Sequence, residues 1–183
     1  MELDKALEER HSVTKFKQKK PDWRKIMEAI EAARKVPLAG NIYSLKFILV
    51  DNKNKIKSIA EAAQQEFVND AKYVVVACSD SEQLVRNYKE RGEVYSRQQA
   101  GAAIENFLLK ITELGLSTCW VGALHEDEIK KTLTVPDNIK VEAVFPIGYE
   151  MGKNKQKRKP DLDDIVFFNK WKQKKMSPEN KPR

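Results

Sequence analysis

Apolar residues recur at helical spacing in two early stretches, Leu3, Ala6 and Leu7, then Trp23, Ile26, Met27, Ile30 and Ala33. Both read as helices with one face turned to a core. Asp22 stands where a side-chain oxygen can cap the second helix, and Pro37 ends it. KFILV at 46–50 reads as a strand, and Ile56, Ile59, Ala60 and Ala63 give a third helix. YVVVAC at 73–78 is apolar throughout, as in a strand covered on both faces. After a polar stretch, SDSEQLVRNYKERGEVYS, the longest helix carries Ala100, Ala103, Ile104, Phe107, Leu108, Ile111 and Leu114 on one face, with Gly115 placed to terminate it. STCWVG at 117–122 is predicted as a strand, 126–133 as a short helix, and VEAVFPIGY at 141–149 as a strand interrupted by Pro146. Alternating helices and strands make an α/β or α+β sandwich, and the pattern by itself favours a doubly wound parallel sheet.

Composition narrows the class. At 183 residues, 41% hydrophobic and 33% charged, the chain suits one domain with a real core and has no apolar run of membrane-spanning length. The opening MELDKALEERHS lacks the basic start and apolar stretch of a secretory signal, which predicts a cytoplasmic protein. The two cysteines, Cys78 and Cys119, lie in apolar runs, where a reduced thiol behaves as a small hydrophobe. With two histidines, no HExxH and no CxxC, no metal site is expected. GxGxxG and GxxxxGK are also absent, so any nucleotide must be held by another device.

The net charge of +7 is unevenly spread. Residues 1–152 hold 23 basic and 23 acidic side chains, and residues 153–183 hold 11 and 4. A basic end of this kind can be a nucleic-acid handle, a solvated surface or a source of phosphate ligands. Near the other end, Arg10, His11 and Ser12 offer a guanidinium, an imidazole and a hydroxyl to an anionic ligand. Taken alone, the trio reads better as a local ion pair and a turn cap.

The trio has company, in order: ERHSVTKF at 9–16, VPLAGN at 36–41, QEFVNDAKYVVVAC at 65–78, AAIENFLLKITELGLSTCWVG at 102–122, FPIGY at 145–149 and RKPDLDDIV at 158–166. Together these resemble the nitroreductase family of FMN-dependent oxidoreductases over about residues 3–172. The resemblance implies an α+β three-layer sandwich, with a mixed, mainly antiparallel sheet flanked by helices in a domain-interlocked homodimer. It implies one FMN-binding domain, 1–172, followed by a basic tail, 173–183, expected to be disordered.

The resemblance also assigns residues. Arg10 matches the family's N-terminal phosphate-binding arginine, and Arg158 with Lys159 match its C-terminal basic pair. Ser12 is expected at the ribityl or phosphate region and His11 along the flavin edge. Asn41, after the permissive Gly40, and Gln65 match groups at the pyrimidine side of the ring. Val121 and Gly122 offer main-chain N–H groups. On the substrate side stand Tyr43, Tyr88 and Tyr95, the last two in a segment, 86–95, that reads as irregular and lid-like. Lys153, Lys155 and Lys157 are left as solvated charges.

Departures from the family pattern fall around the ring. Thr14 stands where relatives often carry a basic residue, with Lys15 next to it. Leu38 replaces a usual serine, and Tyr43, Ser44 and Leu45 replace a frequent Gln-Pro-Trp. The implied activity passes hydride from NADH or NADPH through flavin N5 to a small electron acceptor such as a nitroaromatic or quinone, with no side chain acting as nucleophile. The alternative is a non-enzymatic binding protein that uses Lys170, Lys172, Lys174 and Lys175 around Trp171 on nucleic acid or an acidic partner. Phe167, Phe168 and Trp171 are spaced to pack on a dimer mate instead, so nucleic acid is not the expected partner.

Overall fold

The computed structural model describes residues 2–152 and 158–176. The sequence readings for Lys153, Lys155, Lys157 and residues 177–183 lie outside the described residues. The chain divides into two compact units, Met1–Lys153 and Asn154–Arg183.

In the first unit, α1 (Leu3–Glu9) and α2 (Trp23–Ala33) precede β1 (Leu45–Val50), and α3 (Lys53–Ala62) leads to β2 (Tyr73–Ser79). Next come α4 (Glu82–Tyr88), α5 (Glu90–Glu113), β3 (Ser117–Thr118), α6 (Glu126–Leu133) and β4 (Lys140–Gly148). The caps are those the sequence signals: Arg24 N–H donates to Asp22 Oδ1 at 3.0 Å, and Asn52 Oδ1 caps α3 through Asn54 and Lys55. Gly115, at φ +71°, follows the end of α5 as a left-handed terminator.

The four strands lie in the order β1-β2-β4-β3, and every pairing between them is antiparallel. The parallel doubly wound sheet favoured by pattern alone is thereby replaced by an antiparallel α+β arrangement, and among the described residues the one parallel pairing is the Ser12–Thr118 bridge. Each face of the sheet has its own core. On one, α2 and α5 pack Ile26, Ala29, Ile104, Phe107 and Ile111 against Val75, Ala77, Phe145 and Ile147. On the other, α3 and α6 pack Ile56, Ile59 and Ile129 against Val74, Val76 and Val144. This sandwiching is why β2 is buried at every residue.

Four sequence readings are corrected. Pro146 does not interrupt β4, which runs unbroken from Lys140 to Gly148 and pairs Pro146 with Val74. The proline instead shortens β3. Val144 and Val121 exchange both backbone bonds, so the N–H of Val144 faces β3, and by the two-residue alternation the missing N–H of Pro146 faces the same way. The ladder therefore lapses between Thr118 and Val121, and the predicted strand 117–122 is reduced to two residues and an isolated bridge. The third correction is at 86–95, which is helical: α4 and α5 meet at Lys89, φ +51°. Leu84, fully buried, anchors α4, and Gly92 lets the helices touch, since a β-carbon there would lie 2.4 Å from Val85 N. Finally, Trp23 and Met27 belong to the predicted apolar stripe yet are 47% and 45% exposed, because Ala29 takes the inward position.

Among the described residues no helix is long and apolar enough to cross a membrane, and no group of three or more metal-ligating side chains forms. Both cysteines are free thiols. In the second unit, α7 (Leu162–Ile165) is a single turn. Phe167 there packs edge-on to Trp171 at 4.7 Å between ring centroids, and Lys174 lies 4.4 Å over the Phe167 ring.

Candidate functional site

The segment after α1 cannot continue as helix and instead runs extended along the sheet. Val13 N–H donates to the Thr118 carbonyl at 2.9 Å, Lys17 N–H to Tyr149 at 2.8 Å, and Met151 N–H to Lys15 at 2.9 Å. Val13 and Phe16 point inward and are buried. Gly148 makes room for the latter, as a β-carbon there would meet the Phe16 ring at 2.7 Å. The stitching leaves Ser12, Thr14 and Lys15 exposed and Arg10 partly buried, its Nε 3.5 Å from Glu105 Oε1. His11 is fixed at both nitrogens, Nδ1 2.7 Å from the Glu9 carbonyl and Nε2 3.1 Å from Glu150 Oε1.

Beside this segment, Thr118 Oγ1 is a buried side-chain oxygen with no hydrogen-bond partner among the described residues. An orphaned hydroxyl is costly and calls for a ligand or water. Thr118 was not singled out from the sequence, and no pattern could have found it, because its meaning comes from the bridge to Ser12. Cys119 follows, half buried, and desolvation raises its thiol pKa. Val121 is buried, and Gly122 is exposed. A β-carbon on Gly122 would meet Trp120 Nε1 at an ordinary 3.6 Å. The fold itself therefore does not demand glycine at 122, and its absent side chain leaves open space above the backbone.

A second group gathers before β1. Gly40 and Asn41 both have left-handed φ, +57° and +56°, in a single turn, Ala39–Asn41. The turn is pinned to α5 by Gln99, which accepts from Ala39 N–H at 3.2 Å and donates to the Ile42 carbonyl at 3.0 Å and to Ser44 Oγ at 2.8 Å. Gln99 was missed in the sequence, where it looks like one more polar helix residue. Tyr88 reaches the same turn, its hydroxyl against Gly40, and packs edge-on to Tyr95 at 5.2 Å, with Arg91 over the Tyr95 ring at 5.1 Å. Tyr43 is partly buried against the α2/α5 core, and burial raises its phenol pKa.

Gln65 precedes the short helical turn Glu66–Asp70, whose Phe67 packs against Val13 and Phe16. The Gln65 N–H bonds Ala60 and its carbonyl receives Val68 N–H, leaving the side chain exposed at the neck where Gln64 meets His125, 3.2 Å between Nε2 atoms. In the second unit Arg158 pairs with Asp161 at 2.8 Å, and Lys159 is exposed.

The family model described as Nitroreductase family matches residues 7–68 and 60–149. The chain belongs to the nitroreductase family. It is 27% identical over 150 residues to a putative NADH dehydrogenase/NAD(P)H nitroreductase of Archaeoglobus fulgidus, covering 79% of this chain and 83% of that one. To an iodotyrosine deiodinase of Thermotoga neapolitana it is 22% identical over 176 residues, 87% of this chain and 94% of the relative. Among solved structures, an FMN-dependent nitroreductase from Clostridium difficile superposes with TM-score 0.78 at 26% identity, covering 91% of this chain and 98% of that one.

Proposed function

We propose that the protein is an FMN-dependent oxidoreductase that draws hydride from NADH or NADPH and delivers it to a small electron acceptor. The reading is carried by the segment 10–14 laid beside the unpartnered Thr118 hydroxyl: a guanidinium, an imidazole and two hydroxyls along the segment, with the Thr118 hydroxyl next to them, fit a phosphate and its polar chain. The family relatives named NAD(P)H nitroreductase and FMN-dependent nitroreductase support it.

When bound, FMN supplies the atom that takes up and releases hydride, which is the difficult part of the chemistry. The protein's share is binding and orientation. Arg10 would hold the phosphate, with the His11 imidazole beside it. Ser12, Thr14 and Thr118 offer hydroxyls. The exposed backbone at Gly122 would present an N–H to the ring, the Val121 N–H being spent on the Val144 carbonyl, and Asn41 and Gln65 would serve its pyrimidine side. Tyr43, Tyr88 and Tyr95 shape the space for the acceptor and keep water out.

The segment 10–14 borders β3, whereas the Ala39–Asn41 turn precedes β1 at the opposite edge of the sheet. Three strand spacings separate those edges, about 14 Å. One subunit therefore presents the phosphate group of residues and the ring group at separate places, which favours a homodimer whose two sites each draw on both copies.

The decisive experiment is the visible absorption spectrum of the purified protein, followed by anaerobic titration with each nicotinamide. Bound FMN that bleaches on addition of NADH or NADPH is expected. A colourless protein that takes up no added FMN overturns the reading and moves attention to the lysines around Trp171.

A further inference from the structure

The ring nitrogens of His11 both face acceptors. Nδ1 lies 2.7 Å from the Glu9 carbonyl oxygen and Nε2 lies 3.1 Å from the Glu150 carboxylate. Neither a carbonyl nor a carboxylate can donate, so each nitrogen must carry its own hydrogen to complete both bonds. A neutral imidazole has one N–H, and the arrangement is complete only for the imidazolium.

We infer that Glu150 is a positioning residue that holds His11 as a cation beside Arg10, and that the protonation of this pair sets how tightly the phosphate end of the cofactor is retained. The inference rests on the FMN reading above. It goes further by assigning a role to Glu150 and a pH dependence to binding.

The charges around the imidazole define the effect. Arg10, next in the chain, opposes protonation, as does partial desolvation. The Glu9 carbonyl and, after it, the Glu150 carboxylate favour it, with a raised pKa as the outcome. While His11 is protonated, the His11–Glu150 pair adds no net charge beside Arg10, whose Nε also lies 3.5 Å from Glu105 Oε1. Once His11 loses its proton, the pair carries a net negative charge that opposes the phosphate. One of the two bonds to the ring is lost as well. The loosening falls on the strand that bears Ser12 and Thr14, because Glu150 pairs with Phe16 in the bridge that continues the same stitching.

Two histidines in the whole chain make the test direct. The histidine C2 protons of the ligand-free protein are followed by NMR against pH, with His125→Gln used to assign them. His11 should titrate above the usual value of about 6.5. In Glu150→Gln it should titrate lower, while His125 stays where it was. FMN dissociation constants from flavin fluorescence are then measured above pH 6.5, clear of the second phosphate ionisation near 6. Wild-type affinity should fall about tenfold across the His11 titration, the size of one charge-assisted contact. The fall should move to lower pH in Glu150→Gln and disappear in His11→Gln.

A His11 midpoint unmoved by Glu150→Gln overturns the pairing. FMN affinity that stays flat through the wild-type titration overturns the link to binding, and needs no variant to be seen. If FMN fails to bind at any pH, it is the cofactor reading that falls, while the NMR result still decides the pair by itself.

Discussion

The hydroxyl of Tyr88 occupies the space beside Gly40 into which a side chain would grow: a β-carbon there would lie 2.4 Å from the oxygen and 3.3 Å from the ring carbon that bears it. The aromatic wall of α4 and the turn that presents Asn41 are thus fitted to each other. Gly40→Ala should cost about 1–2 kcal/mol for the left-handed backbone alone, and more while Tyr88 keeps its hydroxyl. In a Tyr88→Phe background the same substitution should cost less. Urea unfolding of the four proteins of this cycle measures the difference, and equal costs in both backgrounds would show that the two residues do not meet.

The junction of α4 and α5 depends on Gly92 in the same way, but with backbone on the other side. A β-carbon there would sit 2.4 Å from Val85 N and 2.5 Å from Leu84 O, atoms that cannot swing aside. Gly92→Ala should destabilise by about 1–3 kcal/mol, the usual penalty for forcing volume into a packed contact. A melting temperature equal to wild type would contradict that packing.

Arg10→Ala should weaken FMN binding by roughly 1.5–3 kcal/mol, the range for a hydrogen bond to a charged group. Equilibrium dialysis or flavin fluorescence measures it. Unchanged affinity would remove Arg10 from the phosphate site.

His11 also links stability to pH. Its folded pKa is raised, so the stabilisation it brings is fully present below the unfolded value near 6.5 and is lost as pH climbs through the folded value. The stability gap between wild type and His11→Gln should be widest at pH 5.5 and should narrow on going to pH 8.5, as read from urea midpoints. A gap that widened with pH would reverse the sign and refute the assignment.

The Cys78 thiol is buried on β2, and desolvation, helped by the nearby Glu142 and Glu126, pushes its pKa up to about 11. In the native protein it should stay unmodified by iodoacetamide at pH 8, and react only once the fold opens. Mass spectrometry of the labelled peptide decides this, and rapid native labelling at Cys78 would contradict its burial.

Much of the scaffold could be read from the residue pattern because local rules and the tertiary packing agree. Asp22 and Asn52 cap helices as their type predicts, and the run at 73–78 is buried because a helical layer covers each face of it. The strand order was a different matter. Hydrophobic alternation is blind to direction, and the antiparallel sheet followed from family likeness alone. Trp23 misled because a helical stripe shows a face without its centre, and Ala29 in fact holds that centre. At the candidate site, charges and glycines stood out in the sequence, whereas Thr118 and Gln99 acquire meaning only through partners remote in the chain. The same holds for Glu150, an unremarkable carboxylate until the fold sets it against His11.

The N-terminal stitching has a further consequence for the order of assembly. His11 and Glu150 are 139 positions apart, and Val13 and Lys17 likewise pair with Thr118 and Tyr149, far downstream. During synthesis the residues around Arg10 emerge well before any of these partners exist, so this strand must wait, unpaired, until β4 has been made and docked. Long-range closures of this kind come late and slowly, since the entropy of a large loop is lost before its contacts reward it. Until then the β3 margin of the sheet stays uncovered and able to pair with another chain. The interval between completing β4 and seating residues 12–17 is therefore when a nascent copy is most prone to aggregate, and a ligand that anchors Arg10 would shorten it.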